Sequence, residues 1–382
     1  MHSNYLIFSA CYLPHLGGVE IFTENLAHEL CAEGNKVYIV TNKLPGLSDS
    51  SVDEHGVTVI RVPCISFLGG RFCLNSFIKS HSLLKEKLGS TEIDGVLINT
   101  RFYFLSIVGL IYSKSRRIKP VVLDHGSAYL SFGSPILNLA AIAYEHFITF
   151  IGKGFSPDYY GISEKSCEWL RNFNIEAKGV ISNSIDATAF SSSSSGRDFR
   201  EEFQLTPDCL LVAVAGRLIP EKGIAQIIKA SSDEELIGRN VVFIVAGDGP
   251  MKAEVEKARS SNFIYVGRLD RNDMAALFLD SDLLCLPSRS EGFCTTLLEA
   301  SACGCPSLTT DVGGASELIL NDGYGLIMES GDAAEIVERL KYLDSNRKLL
   351  QIQSKNIRER AVNDFSFSKT AQQAENAMDV NR

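Results

Sequence analysis

The sequence predicts an α/β protein made of two successive doubly wound domains. Three observations predict it. Short apolar, β-branched runs alternate with helical patterns along the 382 residues. The runs are apolar throughout rather than at every second position, as strands of a parallel sheet covered on both faces are. The alternation breaks once, near Asn183, and then starts again. A chain of this length exceeds one small core, so two domains of ordinary size are expected.

The first series of strands reads "YLIFSA", "KVYIVT", "VTVIRV", "GVLINT", "PVVLDH", "YYGIS" and "GVISN", with "EIFTENLAHELCAEGN" as the helical pattern after the first. "PILNLAAIAYEHFITFIG" comes nearest to a membrane span. Asn138, Glu145 and His146 interrupt it, so a largely buried helix is expected instead. Just after the expected boundary, in "NSIDATAFSSSSSGRDFREEF", Ser191 to Ser195 read as a flexible polar segment. The second series reads "LLVAVAGR", "NVVFIVAGDG", "FIYVGR", "DLLCLPS", "PSLTTD" and "YGLIM", and "FSFSKTAQQAENAMDV" reads as a terminal helix. The expected domains are residues 1–182 and 183–364, with a helix at about 365–382 packing back on the first.

Composition narrows the function. A hydrophobic fraction of 45% and a charged fraction of 22% are those of a soluble globular protein. The net charge of -9 opposes general nucleic-acid binding. Residues 1–180 carry 16 basic and 16 acidic side chains, so the acidic surplus lies wholly in the second half. The ten cysteines sit mostly in apolar runs such as "LLCLP", with no C-x-x-C. Cys303 and Cys305 have no further His or Cys pair near them for zinc. Reduced, buried thiols of a cytosolic protein are expected. The start, "MHSNYLIFSACYLPHLGG", has no basic leader and reads as a first strand.

In an open parallel sheet, ligands bind beyond the carboxyl ends of the strands, and the cleft between the domains is the expected site. Four stretches qualify. In "LPHLGGVEIF", Gly17 and Gly18 let the backbone approach a ligand at the start of a helix, or form an ordinary turn. In "VAGRLIPEKGI", Arg217 and Lys222 suit a diphosphate, or are two solvated charges. In "PSRSEGFCTTLLEASACGCP", Glu291 sits in a loop and Glu299 a little over one turn into the helix that follows. Both can face a ligand lying across the amides of Phe293 to Thr296. Glu299 stands among small apolar residues, where an unpaired carboxylate is costly, and it suits vicinal hydroxyls. In "VVLDHGSAY", His125 ends a strand. "VAGDGP" lacks the third glycine of a dinucleotide fingerprint. Asp280 and Asp282 form a D-x-D, expected to cap or turn rather than to bind metal.

Together these stretches resemble the retaining glycosyltransferases of family 4, with the GT-B fold of two Rossmann-like doubly wound domains facing each other across a cleft. The resemblance covers nearly the whole chain. It runs through "GGVE", "HG", "GISE", "SNSID", "GRLIPEKG", "VAGDGP", "YVGRL" and "LFLDSDLLCLPSRSEGFCTTLLEASACGCP" to "DVGGASELI". It implies that Glu291 contacts the donor sugar near the reacting centre and that Glu299 binds the nucleotide ribose. Arg217 and Lys222 become the phosphate cations, Gly17 or Gly18 the donor-loop glycine, and His125 the active-site histidine. Gly216 and Phe293 join the donor-binding set. The amides near Cys294 and Thr295 would hold sugar and diphosphate, and Arg268 and Leu269 would flank the base.

The activity implied is transfer of a hexosyl group from a nucleotide sugar, UDP-sugar ahead of GDP-sugar, to a glycan or lipid-linked acceptor. Bacterial surface polysaccharide synthesis, of lipopolysaccharide or capsule, is the implied setting. No metal or other cofactor is expected. The cations and helix amides take the leaving group's charge. Retention follows from attack on the leaving-group face or from double displacement through Glu291. The alternatives are a nucleotide-sugar epimerase and a non-catalytic sugar-nucleotide-binding protein of the same fold; a nicotinamide oxidoreductase is disfavoured by the missing fingerprint. Two positions depart from the family pattern. Ser184 stands where Gly is usual, which bears on the linker backbone, and Cys294 where Gly or Pro is frequent, which bears on sugar preference.

The expected location is cytoplasmic, with contact at the inner face of an anionic membrane. The basic runs are Lys114, Arg116, Arg117 and Lys119, and Lys79, Lys85 and Lys87 beside apolar residues. A solvated loop and helix account for these charges equally well.

Overall fold

The computed structural model describes residues 2–14, 17–67, 72–130 and 134–379. His15 and Leu16 of the first glycine turn, and residues 380–382 of the expected terminal helix, lie outside them. The chain divides into two compact units, Met1–Asn183 with Phe367–Arg382, and Ser184–Ser366.

The first unit runs β1 (Asn4–Ser9), α1 (Gly18–Ala32), β2 (Lys36–Asn42), β3 (Ser50–Val52), β4 (Thr58–Val62), β5 (Cys64–Phe67), β6 (Phe72–Asn75), α2 (Phe77–Leu88), β7 (Gly95–Asn99), α3 (Phe104–Arg116), β8 (Val121–Asp124), α4 (Pro135–Lys153), β9 (Asp158–Gly161) and α5 (Glu164–Leu170). The C-terminal helix, Phe367–Asp379, completes it. Among the described residues the main sheet has the order β3-β4-β2-β1-β7-β8-β9, parallel except for β3 at its edge. β5 and β6 form a separate antiparallel ribbon. The chain leaves β1 for β2 on one side and later returns to β7 on the other. The switch point therefore lies at the carboxyl ends of β1 and β7. Leu6 and Phe8 join one core with Leu84, Val108 and Ile148, from α2, α3 and α4. Tyr5 points to the other face, where Gly95 packs against both it and Met378 of the C-terminal helix.

The second unit runs α6 (Ala187–Ser192), α7 (Phe199–Glu202), β10 (Leu210–Ala215), α8 (Ile224–Ser231), α9 (Glu234–Gly238), β11 (Val241–Ala246), α10 (Lys252–Lys257), β12 (Phe263–Gly267), α11 (Arg271–Asp280), β13 (Leu283–Leu286), α12 (Thr295–Ala302), β14 (Ser307–Thr310), α13 (Ala315–Leu318), β15 (Leu326–Met328), α14 (Ala333–Ser345) and α15 (Arg347–Asp364). The sheet order is β12-β11-β10-β13-β14-β15, all parallel. β10 explains the uninterrupted apolar run. Its Leu211, Ala213 and Ala215 enter one core and its Leu210, Val212 and Val214 the other. Part of the acidic surplus of this half is structural. Asp186, Asp198, Asp233, Asp270 and Asp332 each accept a first-turn amide at the start of a helix.

Three expectations are corrected. "GVISN" makes no strand; it touches the sheet only through an isolated bridge between Gly161 and Val180. The serine run is not a loose segment. Asp186 caps α6 through Ala189 N at 2.8 Å, and Ser191 and Ser192 form its last turn. The helix α4 is not largely buried. Ala141, Glu145, Ile148, Thr149 and Gly152 face the protein, while Ile136, Leu139, Phe147 and Phe150 face outward.

Candidate functional site

The switch point of the second sheet lies between β10 and β13, and the loops leaving these strands bring Lys222 to Glu291. After Ala215 the chain passes through Gly216 and the exposed Arg217, then turns at Pro220–Lys222. Gly223 ends that turn at φ 70°, and a Cβ there would collide with the Pro287 carbonyl at the end of β13. The missing side chain lets one loop lie on the other, and Arg289 N donates to Glu221 O at 2.8 Å. Lys222 Nζ then donates to Glu291 Oε1, with both side chains 13% exposed.

Burial alone would lower the Lys222 pKa. Cys294 and Glu291 outweigh burial and hold the lysine above its ordinary pKa. The Cys294 thiol is itself pushed up to about 11, by burial first and then by Glu291, so at neutral pH it is uncharged and the carboxylate holds the lysine. Cys294 precedes α12 and no side chain caps that helix. Its first-turn amides and the ammonium are fixed partial and full positive charges at one place.

The loop from Glu291 to Phe293 is cradled by Gly313 and Gly314. A Cβ on Gly314 would collide with the Phe293 ring, and one on Gly313 would come within 2.9 Å of the Gly292 carbonyl oxygen. These two glycines belong with the site although the charged residues drew attention elsewhere; the G-G pair after "PSLTTD" was the available signal. Thr295 is half-buried at the start of α12 and Glu299 lies one turn further on. Burial pushes the Glu299 carboxyl up to about 7, with Arg271 of α11 opposing. Arg268 is exposed and Leu269 is packed against the core, just before α11. Backbone bonds tie the strand ends in a row: Gly216 N to Ala246 O at 3.1 Å and Gly247 N to Gly267 O at 2.8 Å.

Asp280 and Asp282 lie at the opposite, amino end of β13. Asp280 accepts Phe199 N at 2.6 Å. Asp282 accepts Leu211 N at 2.8 Å and Arg200 Nη2 at 2.7 Å. These carboxylates tie α7 and β10 together.

At the switch point of the first sheet, His125 follows β8 and is half-buried. It meets Asn99 Oδ1 at 3.0 Å and the edge of Phe22 at 5.1 Å between centroids. Asn99 Nδ2 donates to Thr23 Oγ1 at 2.8 Å, and Thr23 donates to Val19 O at 2.6 Å. Since Asn99 turns its oxygen to the ring, the network assigns the proton to Nε2 and leaves Nδ1 as an acceptor. Burial lowers the imidazole to about 3, so it is neutral at physiological pH. Neither Asn99 nor Thr23 stands in a sequence motif. Gly17 stands just before α1, and a Cβ on it would meet the Glu20 carboxylate; beside Gly18 there is open space. The structure thus distinguishes the two glycines: a Cβ on Gly17 would displace the end of the Glu20 side chain, and one on Gly18 would meet nothing.

Two family models match the chain, one for each unit. The glycosyltransferase family 4 model matches residues 16–189, and the model described as glycosyl transferases group 1 matches residues 197–360. The uncharacterized glycosyltransferase MJ1069 of Methanocaldococcus jannaschii is 25% identical over 383 residues, 96% of each chain. The UDP-Gal:alpha-D-GlcNAc-diphosphoundecaprenol alpha-1,3-galactosyltransferase of Escherichia coli is 29% identical over 198 residues, 50% of this chain and 51% of its own. Among solved structures, Anabaena HepE in complex with UDP aligns over 98% of this chain and 99% of its own, with a TM-score of 0.71 at 20% identity. Its complex with UDP-glucose gives 0.68 at 18%.

Proposed function

Since the chain belongs to the glycosyltransferases of family 4 and has their GT-B fold, we propose that it transfers a hexosyl group from a nucleotide sugar, with retention of configuration and without a metal ion. The observation that carries this reading is the Lys222–Glu291 pair beside the uncapped start of α12. A sugar diphosphate needs cations and amides for its phosphates and a carboxylate for its sugar hydroxyls, and these stand together there.

In the reaction proposed, the bond from the anomeric carbon to the phosphate oxygen breaks and its electron pair goes to the leaving diphosphate. Lys222, Arg217 and the amides of Thr295 and Thr296 stabilise the charge that develops. An acceptor oxygen forms the new bond to the anomeric carbon from the same face, and its proton passes to the departing phosphate oxygen. Glu291 holds sugar hydroxyls beside the reacting carbon, Glu299 takes the ribose hydroxyls, and Arg268 with Leu269 flanks the base. His125 is assigned to the reacting centre by family resemblance, as a neutral hydrogen-bonding ring. A lipid-linked or glycan acceptor and a UDP-sugar donor are favoured by the names of the relatives, two of which concern UDP or UDP-galactose and one a diphosphoundecaprenol acceptor.

The test is incubation with a panel of UDP-, GDP- and ADP-sugars, with and without extracted lipid-linked oligosaccharide. Acceptor-dependent release of nucleoside diphosphate, and a product whose anomeric coupling matches the donor's, are expected. Isomerised donor formed without acceptor would show an epimerase. Binding with no nucleotide release would show a sugar-nucleotide-binding protein.

A further inference from the structure

The helix α4 carries an apolar face that nothing among the described residues of its unit covers. Its exposed positions 136, 139, 140, 143, 147 and 150 recur at helical spacing and read Ile, Leu, Ala, Ala, Phe and Phe. Ile136 is 80% exposed, Leu139 69%, Phe147 64% and Phe150 75%. The stripe is about 21 Å long at 1.5 Å per residue. A cavity of about 360 Å³ opens along its carboxyl half, between Phe147, Phe150 and Lys153 on the helix and Phe173 beyond it. The buried face mixes Ala141, Ile148 and Gly152 with the polar Glu145 and Thr149. Glu145 Oε2 meets Arg101 Nη2 at 2.7 Å and Glu145 Oε1 accepts Leu130 N at 2.9 Å.

Cations gather at one end of the stripe. Lys114 stands 5.5 Å from the centre of the Phe155 ring, just past the end of α4. Arg117, which follows α3, is exposed as well, while Lys119 beyond it is held by Asp158 Oδ1 at 2.7 Å. The one acidic residue of α4, Glu145, faces inward.

We propose that this face of α4 docks the protein on an anionic lipid surface, with the helix lying in the plane of the membrane. Hydrocarbon is the occupant that the chemistry fits. A protein interface of this length would ordinarily carry several hydrogen bonds, and none of the six stripe side chains has a group to make one. A stripe rich in Phe and Leu, with cations at its end, is the composition of an interfacial helix. The helix is long and apolar enough to cross a bilayer by length and composition, but it lies on the surface rather than spanning. Withdrawal would strand Glu145 and Arg101, buried partners, without each other. Docking of this face involves the first unit alone and is independent of the donor chemistry in the second.

The test is flotation of the full chain with vesicles of phosphatidylcholine alone and with about 30% phosphatidylglycerol. Recovery with the anionic vesicles is expected to exceed that with neutral ones and to fall with salt. The double variant Phe147→Ser, Phe150→Ser should lose about tenfold or more of the binding. Lys114→Glu with Arg117→Glu should lose the preference for anionic vesicles while keeping the wild-type melting temperature. Equal recovery with both vesicle types, or binding untouched by the serine pair, would overturn docking by this face. So would a dimer in lipid-free solution that the serine pair dissociates, because the face would then be an interface between copies.

Discussion

Lys222 and Glu291, 69 residues apart in the chain, form a half-buried ion pair across the switch point of the second sheet. The lysine comes from the loop after β10 and the glutamate from the loop after β13, and Gly223 lets the two loops touch. The pair lies where a doubly wound sheet opens for its ligand.

Replacing Lys222 or Arg217 by Ala should each lower turnover by about 2–4 kcal/mol of transition-state stabilisation, as loss of one preorganised donor to a developing anion does. Single-turnover rates at saturating donor measure it. Arg217 is exposed and without an ion pair among the described residues, so Arg217→Ala should leave the melting temperature unchanged.

Glu291→Gln and Glu299→Gln should separate in their kinetics. The first, in its proposed role beside the bond that breaks, should lower kcat. The second, in its proposed role at the ribose, is remote from the chemistry and should raise the KM for donor. The opposite split in steady-state kinetics with varied donor would exchange their roles.

Donor affinity should rise with pH through about 7 because burial raises the Glu299 carboxyl to that value. In the proposed complex ribose hydroxyls would donate to the ionised form, so the favourable state is lost as pH falls below it. Binding at pH values near 7 should release protons, and the calorimetric enthalpy should depend on the buffer's ionisation enthalpy. In the free protein the sign runs the other way. Glu299 ionises at its ordinary 4.5 when unfolded, so stability falls as pH rises from 4.5 to about 7.

His125 should remain neutral across the working range. Its folded value, near 3, lies below the ordinary 6.5, so the unfolded chain takes up the proton first. The stability it contributes is complete above 6.5 and declines as pH falls towards 3. Urea unfolding of the wild type and of His125→Asn over that window should differ in slope, and an equal pH dependence would contradict the neutral assignment.

Arg101→Met should destabilise the first unit by about 3–5 kcal/mol. The guanidinium donates to both oxygens of Asp124 and to Glu145, all three buried. Its removal leaves two carboxylates facing each other without a cation. Urea denaturation followed by near-ultraviolet circular dichroism reads the loss.

Much of this was legible in the chain. Runs such as "LLVAVA" and "NVVFIVA" could only be strands covered on both faces, and so they are. Ser50–Val52 and the Cys64–Phe67 ribbon escaped because three or four residues of mixed polarity at an edge carry no period. The exposure of α4 was hidden for a different reason. An apolar pattern fixes what a helix can bury, but whether Phe147 and Phe150 find a neighbour depends on elements distant in sequence. In the site, charged residues at strand ends pointed to Lys222 and Glu291. Asn99 and Thr23 carried no such signal, since a single amide or hydroxyl acquires meaning only when folding sets it beside His125.

The proposed transfer requires a diphosphate to be held by Lys222, Arg217 and helix amides in place of a metal ion. The direct measurement is calorimetric titration of UDP-sugars into the protein in excess EDTA, repeated with Lys222→Ala and Arg217→Ala. Wild-type binding is expected in the chelator, together with a loss of about 1.5–3 kcal/mol in each variant, the worth of a hydrogen bond to a charged group. Binding that requires added magnesium or manganese, or that both alanine variants retain in full, would contradict it.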